Sequence, residues 1–337
     1  MSGTSLDGVD LAICTFTKND EWKFKIEKSK TLKYSTYWSK KLSNLHTENK
    51  YVISEIDIEY GKFLGKIINT FLGKEKVDFI ASHGHTIFHQ PENHFTLQIG
   101  DGKTIANITK TKIINNFRNL DISLNGQGAP LVPIGDLHLF NKYKYCVNLG
   151  GFANISIKEN GKIIAFDICP VNIVMNEISK KLDLDFDRNG DIAISGKLIP
   201  ELLEKLNILS FYNKKPPKSL GREWVEKSIN PLIKKNYKPK DLLHTFCEHI
   251  AIQIGKYLNE KSALLSGGGV LNTYLVRRIS YYSSSEIIIP NQKIINFKEA
   301  LIFAFLGVLR LRNEVNCLQS VTGAKEDNCG GEINNQI

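Results

Sequence analysis

The chain has 337 residues, 42% hydrophobic and 23% charged, with a net charge of +9. That length allows two domains with their own cores, and no apolar run reaches a membrane span. No basic start leads into an apolar core and cleavage site, so the expected location is the cytoplasm, with no membrane partner. The lysines are spread along the chain among many Asn and Ile rather than gathered on one face, which argues against a nucleic-acid partner. The six cysteines are scattered with no C-x-x-C pair, so reduced thiols fit better than a zinc site or a disulfide framework.

In chain order, Gly3, Thr4, Ser5, Leu6, Asp7 and Gly8 read as a turn, 9–16 as a strand, 18–20 as a second turn and 22–28 as another strand. Residues 53–72 place Ile56, Tyr60, Phe63, Leu64, Ile67, Ile68 and Phe71 at helical spacing. A short apolar strand, 77–81, runs into the polar loop 82–86. A domain boundary is expected near residue 140, giving domains 1–140 and 141–337, with the C-terminal segment packing back on the first. The second domain opens with a strand at 145–149, a tight Gly150-Gly151 turn, a strand at 152–157, an Asn160-Gly161 hairpin and a strand at 162–167. Helix 241–258 leads into strand 263–265, which is followed by a glycine loop and helix 273–280. Strands alternating with helices predict an α/β protein, and the repeated opening meander predicts a duplicated unit.

Five constellations carry chemistry. Ser2 to Asp10 combine glycines, hydroxyls and the Asp7 carboxylate, which suits phosphate binding with Mg²⁺ held through water. An ordinary hairpin turn explains Asp7-Gly8 equally well. Gly150 and Gly151 occupy the matching turn of the second domain, so the two turns are expected to face each other across a cleft. Gly267, Gly268 and Gly269 follow a strand and precede a helix, as a loop for a nucleotide base or sugar would. Asp167 closes an apolar strand and is a candidate general base, or else a helix N-cap. His83, His85 and Thr86, with Gln127 in a glycine-rich loop, suit a polyhydroxy ligand; a metal reading of His83, His85 and His89 lacks carboxylate or cysteine partners. Met175 and the remaining aromatics read as core.

Together the segments MSGTSLDGVD, ASHGHT, NFRNLDISLNGQGAPLVP, NLGGFANIS, FDICPVN, PPKSLGRE, SGGGVLN and SVTGA resemble the anhydro-N-acetylmuramic acid kinases, in order and over nearly the whole chain. The resemblance implies two actin-like (ribonuclease H-like) domains with an active-site cleft between them. It implies a cytoplasmic kinase of murein recycling that uses ATP, Mg²⁺ and water to turn 1,6-anhydro-N-acetylmuramic acid into N-acetylmuramic acid 6-phosphate. Asp167 would activate the water. Gly3, Thr4, Ser5, Leu6, Asp7, Gly8, Val9 and Asp10 would hold the nucleotide phosphates; Gly150 and Gly151, and Gly267, Gly268 and Gly269 with the nucleotide base or sugar, are the cofactor-binding turns expected above from the residues themselves. Asp7 would also carry the metal. His83, Thr86, Gln127 and Asn172 would hold the sugar, the small-molecule partner, and a homodimer is a further expectation.

The chain departs from the family's F-D-T-G-P-G-N at Ile168, Cys169 and Val171, while Asp167, Pro170 and Asn172 are retained. Two other readings therefore stand beside the first: a kinase of another amino sugar, or a catalytically silent sugar- or nucleotide-binding protein of kinase descent. The first domain also begins directly at its glycine turn, whereas family members ordinarily have a short apolar strand before it. The natural product is thus expected to start about eight to fifteen residues upstream, enough for one strand and its lead-in. The alternative is a genuine short start with another segment filling the slot.

Overall fold

The computed structural model describes residues 1–3, 6–159 and 161–336, so Thr4, Ser5 and Asn160, named in the turns above, lie outside the described residues. The chain divides into two compact units, Met1–Leu139 with Phe297–Ile337, and Phe140–Asn296. The division falls beside residue 140, and residues 297–337 go with the first unit. The chain leaves the second unit within the helix Gln292–Leu311, where Phe297 breaks helical geometry (φ −122°, ψ 15°).

The first unit begins with a long antiparallel hairpin of β1 (Gly8–Lys18) and β2 (Trp22–Lys33). Next comes the helix Lys50–Leu72, started by Asn49, whose side chain accepts from the amides of Tyr51 and Val52, and ended at Gly73 with φ 62°. Its inner stripe, Ile53, Ile56, Tyr60, Leu64, Ile68 and Phe71, is buried, as a 3.6-residue period requires. Phe63 and Ile67, at the stripe's edge, are only partly buried. Gly61 and Gly65 let the helix Gly102–Thr109 approach, for a Cβ at Gly65 would sit 2.9 Å from the Ile108 side chain.

Two expectations for this unit need correction. The apolar strand 77–81 is shorter than expected: β3 is Ile80–Ala81, paired in parallel with β6 (Ile113–Asn115), because β6 offers only three residues. His85 and Thr86 are not loop residues. They start β4 (His85–Gln90), which forms an antiparallel hairpin with β5 (Phe95–Ile99). A register shift between Thr86 and Phe88 interrupts the alternation that would have marked the strand.

The second unit holds one five-stranded sheet. Its strands are β7 (Tyr145–Leu149), β8 (Phe152–Glu159), β9 (Lys162–Pro170), β10 (Ser262–Ser266) and β11 (Glu286–Ile288). The order is β11-β10-β7-β8-β9, with β7, β8 and β9 an antiparallel meander and β10 and β11 parallel to β7. A three-strand meander extended by two parallel strands on the side of its first member is the ribonuclease H-like plan of actin-like domains. β7 and β10 are apolar nearly throughout because helices cover the sheet. One of these helices, Pro239–Gly255, opens with Pro239 and buries Leu242, Leu243, Phe246, Ile250 and Ile254.

The C-terminal return is fixed by one buried carboxylate. β12 (Glu332–Asn334) pairs with β6, and Asp121, 0% exposed, gathers donors from residues about 200 positions downstream. Its Oδ1 accepts from Thr322 Oγ1 at 2.8 Å, Asn328 Nδ2 at 2.8 Å and Cys317 Sγ at 3.0 Å; its Oδ2 accepts from the Gly128 amide at 2.7 Å. Asp121→Ala would leave several buried donors unsatisfied, each worth about 1–3 kcal/mol. The expected result in urea unfolding is a loss of at least about 3 kcal/mol, and a change below about 1 kcal/mol would contradict this account.

Candidate active site

In the second unit the site follows from strand register. β7 and β10 run parallel with Asn148 opposite Ser266, so the turns that leave their C-terminal ends emerge side by side. Gly267 has φ +83°, and a Cβ there would lie 2.5 Å from Asn148 Oδ1 and 2.8 Å from the Leu149 carbonyl oxygen. A Cβ at Gly269 would lie 2.7 Å from that of Leu149. These two glycines are needed for packing. Gly268 is different, since a Cβ there meets nothing within 4 Å. Its backbone faces open space on a 3-10 turn, Gly268–Leu271, which precedes the helix Thr273–Tyr282.

The turn after β7 is tied to the helix Asn172–Lys180. The Val171 amide donates to the Gly151 carbonyl at 2.8 Å and the Asn172 amide to that of Gly150 at 3.3 Å. Asn172 Nδ2 donates to the Leu149 carbonyl at 3.4 Å and lies 3.6 Å from where a Cβ of Gly269 would be. The structure thus brings Gly150, Gly151, Gly267, Gly268, Gly269 and Asn172 together.

Asp167 lies on β9, three residues before its end, opposite Asn154 of β8. A register shift between Ala153 and Asn154 places a bulge at Ile168, the kind of feature that re-aims a neighbouring side chain. Asp167 is not a helix N-cap, because Val171 occupies that position of the following helix. Its Oδ2 accepts from the Leu220 amide at 2.8 Å, and its own amide donates to the Lys218 carbonyl at 3.0 Å. Among the described residues nothing donates to Oδ1. Burial pushes the carboxyl above its ordinary range, and the Leu220 amide opposes that shift. The three departures from the family sequence, Ile168, Cys169 and Val171, are at most 1% exposed and belong to the hydrophobic core. Met175 joins them there, as expected.

In the first unit an antiparallel bridge between Ser2 and Val9 closes the turn that contains Asp7. Gly8 is required by close approach, since a Cβ would lie 2.4 Å from the Leu32 carbonyl oxygen. Gly3 accepts from the Leu6 amide at 3.4 Å, and Leu6 takes φ 57°. Asp7 is exposed; Asp10 is half-buried and accepts from Thr31 Oγ1 at 2.5 Å. Burial, and more weakly the charge of Asp7, push the Asp10 carboxyl up. Asp7 on the turn and Asp10, the third residue of β1, are close enough for their charges to interact, and carboxylate oxygens are the donors that suit a hard cation.

Elsewhere in this unit Arg118 joins two expected site segments. Its Nη2 donates to His83 Nε2 at 2.9 Å and its Nη1 to the Gly128 carbonyl at 2.6 Å. His83 Nδ1 donates in turn to the Gly84 carbonyl at 3.0 Å, so the ring is a neutral Nδ1–H tautomer with both nitrogens engaged. That disposes of His83 as a metal ligand. Gln127 has an exposed side chain and holds its loop by donating its amide to the Thr322 carbonyl at 2.8 Å. Thr86 sits on β4 opposite Gln98. Sequence reasoning missed Arg118, Asp121, Lys218 and Leu220 as individual residues, although all four lie in segments that carry the resemblance.

His85 Nδ1 lies 2.9 Å from Ser2 Oγ, which is 2.6 Å from the Tyr34 hydroxyl. Burial lowers the His85 pKa from 6.5 to about 4. The unfolded chain takes up this proton near pH 6.5 and the folded chain does not until about pH 4, so stability is lost as pH falls through that window. From pH 7 to pH 5 the loss from this group is about 2 kcal/mol. Urea unfolding of the parent and of His85→Gln at both pH values should show a weaker acid loss in the variant, and equal losses would contradict the buried neutral ring.

A family model described as anhydro-N-acetylmuramic acid kinase matches residues 1–336. The anhydro-N-acetylmuramic acid kinase of Francisella tularensis subsp. novicida (strain U112) is 34% identical over 369 aligned positions, covering 99% of this chain and 97% of that protein. The enzyme of that name from Sulfurovum sp. (strain NBC37-1) is 33% identical, with 97% and 95% covered, and one from Bacillus cereus (strain AH187) is 31% identical, with 99% and 97% covered. Among solved structures, the activator of the 2-hydroxyisocaproyl-CoA dehydratase from Clostridium difficile with bound ADPNP is a remote match. It is 15% identical, covers 66% of this chain and 88% of its own, and has a TM-score of 0.37. With its family motifs spread along the chain and the model matching nearly every residue, this chain belongs to the anhydro-N-acetylmuramic acid kinase family.

Proposed function

We propose that the chain opens the anhydro bridge of 1,6-anhydro-N-acetylmuramic acid with water and transfers the γ-phosphoryl group of ATP to the freed O6. The products are ADP and N-acetylmuramic acid 6-phosphate, and the setting is murein recycling in the cytoplasm. One observation carries the reading: Asp167 offers a half-buried carboxylate whose Oδ2 is fixed by the Leu220 amide and whose Oδ1 has no donor among the described residues. An acceptor held in that way suits a general base. Water gives a proton to Asp167 as its oxygen bonds to the anomeric carbon and the C1–O6 bond breaks. O6 then attacks the γ-phosphorus, and the bond to the bridging oxygen of ADP breaks.

The remaining roles follow the same reading. The turn at Gly150 and Gly151, where the Gly150 amide is engaged by the Phe152 carbonyl and the Gly151 amide is the donor on offer, would hold phosphate oxygens, as would the turn of Gly3, Thr4, Ser5, Leu6, Gly8 and Val9, and Gly268 would let the nucleoside lie against the backbone. Asp7, with Asp10 behind it, would hold Mg²⁺ through water, which when bound offsets the phosphate charge. His83, Thr86, Gln127 and Asn172 would position the sugar. His83, with both ring nitrogens engaged by Arg118 and Gly84, would do so through the face of a neutral ring and not through a hydrogen bond, since burial keeps it from protonating.

Asp167→Asn keeps the shape of the site and removes the proton acceptor. Turnover is expected to fall by about 10²–10⁴ with sugar binding nearly unchanged, and activity within about threefold of the parent would exclude Asp167 as the base. Gly268→Val introduces a side chain where the fold leaves room. It is expected to leave the fold and sugar binding intact while raising the KM for ATP about tenfold or more, the equivalent of about 1.4 kcal/mol of lost contact. An unchanged ATP dependence would make this loop a plain strand-to-helix connection.

A further inference from the structure

The segment Pro217 to Arg222 contains a lysine that the reaction as described does not use. Lys218 is 9% exposed, and among the described residues no carboxylate pairs with its ammonium. Nζ instead lies 4.8 Å from the ring centre of Phe211, 5.7 Å from that of Phe166 and 5.8 Å from that of Tyr257. It donates to the Tyr257 hydroxyl at 3.2 Å and to the Phe211 carbonyl at 3.4 Å. Burying an ammonium is unfavourable, and a leucine or methionine would fill an aromatic slot without that penalty. Three ring faces and two oxygens offset the penalty here and fix the cation in one place.

The main chain of the same residue is fixed as well. The Lys218 carbonyl accepts from the Asp167 amide at 3.0 Å, and two residues later the Leu220 amide donates to Asp167 Oδ2 at 2.8 Å. One of the rings that grips the ammonium, Phe166, is the neighbour of Asp167 on β9. Cation and carbonyl therefore anchor the segment to β9 from both sides of Lys218, at the spacing that carries the Leu220 amide to the carboxylate.

We infer that Lys218 is a positioning residue for the reaction: its caged ammonium holds the 217–222 segment so that the Leu220 amide stays on Asp167 Oδ2. The inference rests on the reading of Asp167 as the base. The charged and titratable groups around the cage are Asp167 and Cys169 from β9, and Lys256 and Tyr257 from the end of the helix Pro239–Gly255. Burial raises the Asp167 carboxyl and the Leu220 amide lowers it, so freeing the amide leaves burial unopposed.

The test is the acid limb of kcat/KM against pH, where a base loses activity as it protonates. In Lys218→Met the limb is expected to move to higher pH by about one unit, with the KM for ATP unchanged. Lys218→Arg, which restores a cation to the rings, should return the limb to its parental position. A limb in Lys218→Met that superimposes on the parent's, while Asp167→Asn is inactive, would overturn the positioning role and leave the base reading standing. An Asp167→Asn variant with parental activity would sink both. Should Lys218→Met not fold, Lys218→Gln gives the same reading, and the Leu220 amide resonance of the parent protein needs no variant. That resonance should titrate with the midpoint of the acid limb, and a shift that stays flat across the limb would overturn the inference.

Discussion

The parallel pairing of β7 with β10 is the constraint on which the second unit's site depends. Asn148 opposite Ser266 sets where both strands end, and each then turns through glycine at the same edge of the sheet. Gly267 and Gly269 must lack side chains because they lie against Asn148 and Leu149. Slipping this register by one residue would move the loop off the turn and reverse the faces of a strand that is buried on both sides. The open backbone at Gly268 lies on the loop so placed, while the carbonyls of Gly150 and Gly151 are engaged from the other side by the Val171 and Asn172 amides that follow β9.

The same sheet presents the proposed base. β9 is the far edge of the meander, and its bulge at Ile168 lets Ile168, Cys169 and Val171 turn into the core while Asp167 stays half-exposed. The family's threonine and glycines at these positions are therefore replaced by side chains that fill the interior. The threonine hydroxyl is lost, but Asp167 keeps its amide donor and its unengaged oxygen. Two opposing influences set the carboxylate's readiness to take a proton. Burial makes the proton bind more tightly, and the Leu220 amide keeps it from binding too early.

What was legible in the sequence was local. The strands of the meander, the turn at Gly150-Gly151 and the helix Pro239–Gly255 follow from apolar period, glycine and proline within a few residues of each other. The hairpin of β4 and β5 was not legible, because its register shift and the intervening Pro91–Asn93 turn hide the alternation. Contacts distant in sequence left no local signal either. Asp121 meets donors 196 to 207 positions away, and the Leu220 amide that modulates Asp167 is 53 positions from it. The segments NFRNLDISLNGQGAPLVP and PPKSLGRE stand out as motifs, but that Arg118 ties His83 to Gly128 and that three rings grip Lys218 are properties of the fold alone.

The central claim is that the chain couples phosphoryl transfer to hydrolytic opening of an anhydro sugar. The most direct measurement is ADP release with and without 1,6-anhydro-N-acetylmuramic acid in ¹⁸O-enriched water, followed by mass analysis of the sugar phosphate. The account predicts ADP release only with the sugar, and one labelled oxygen at the anomeric carbon with none in the phosphoryl group. ADP release that proceeds equally without sugar, or label found in phosphate, would contradict it.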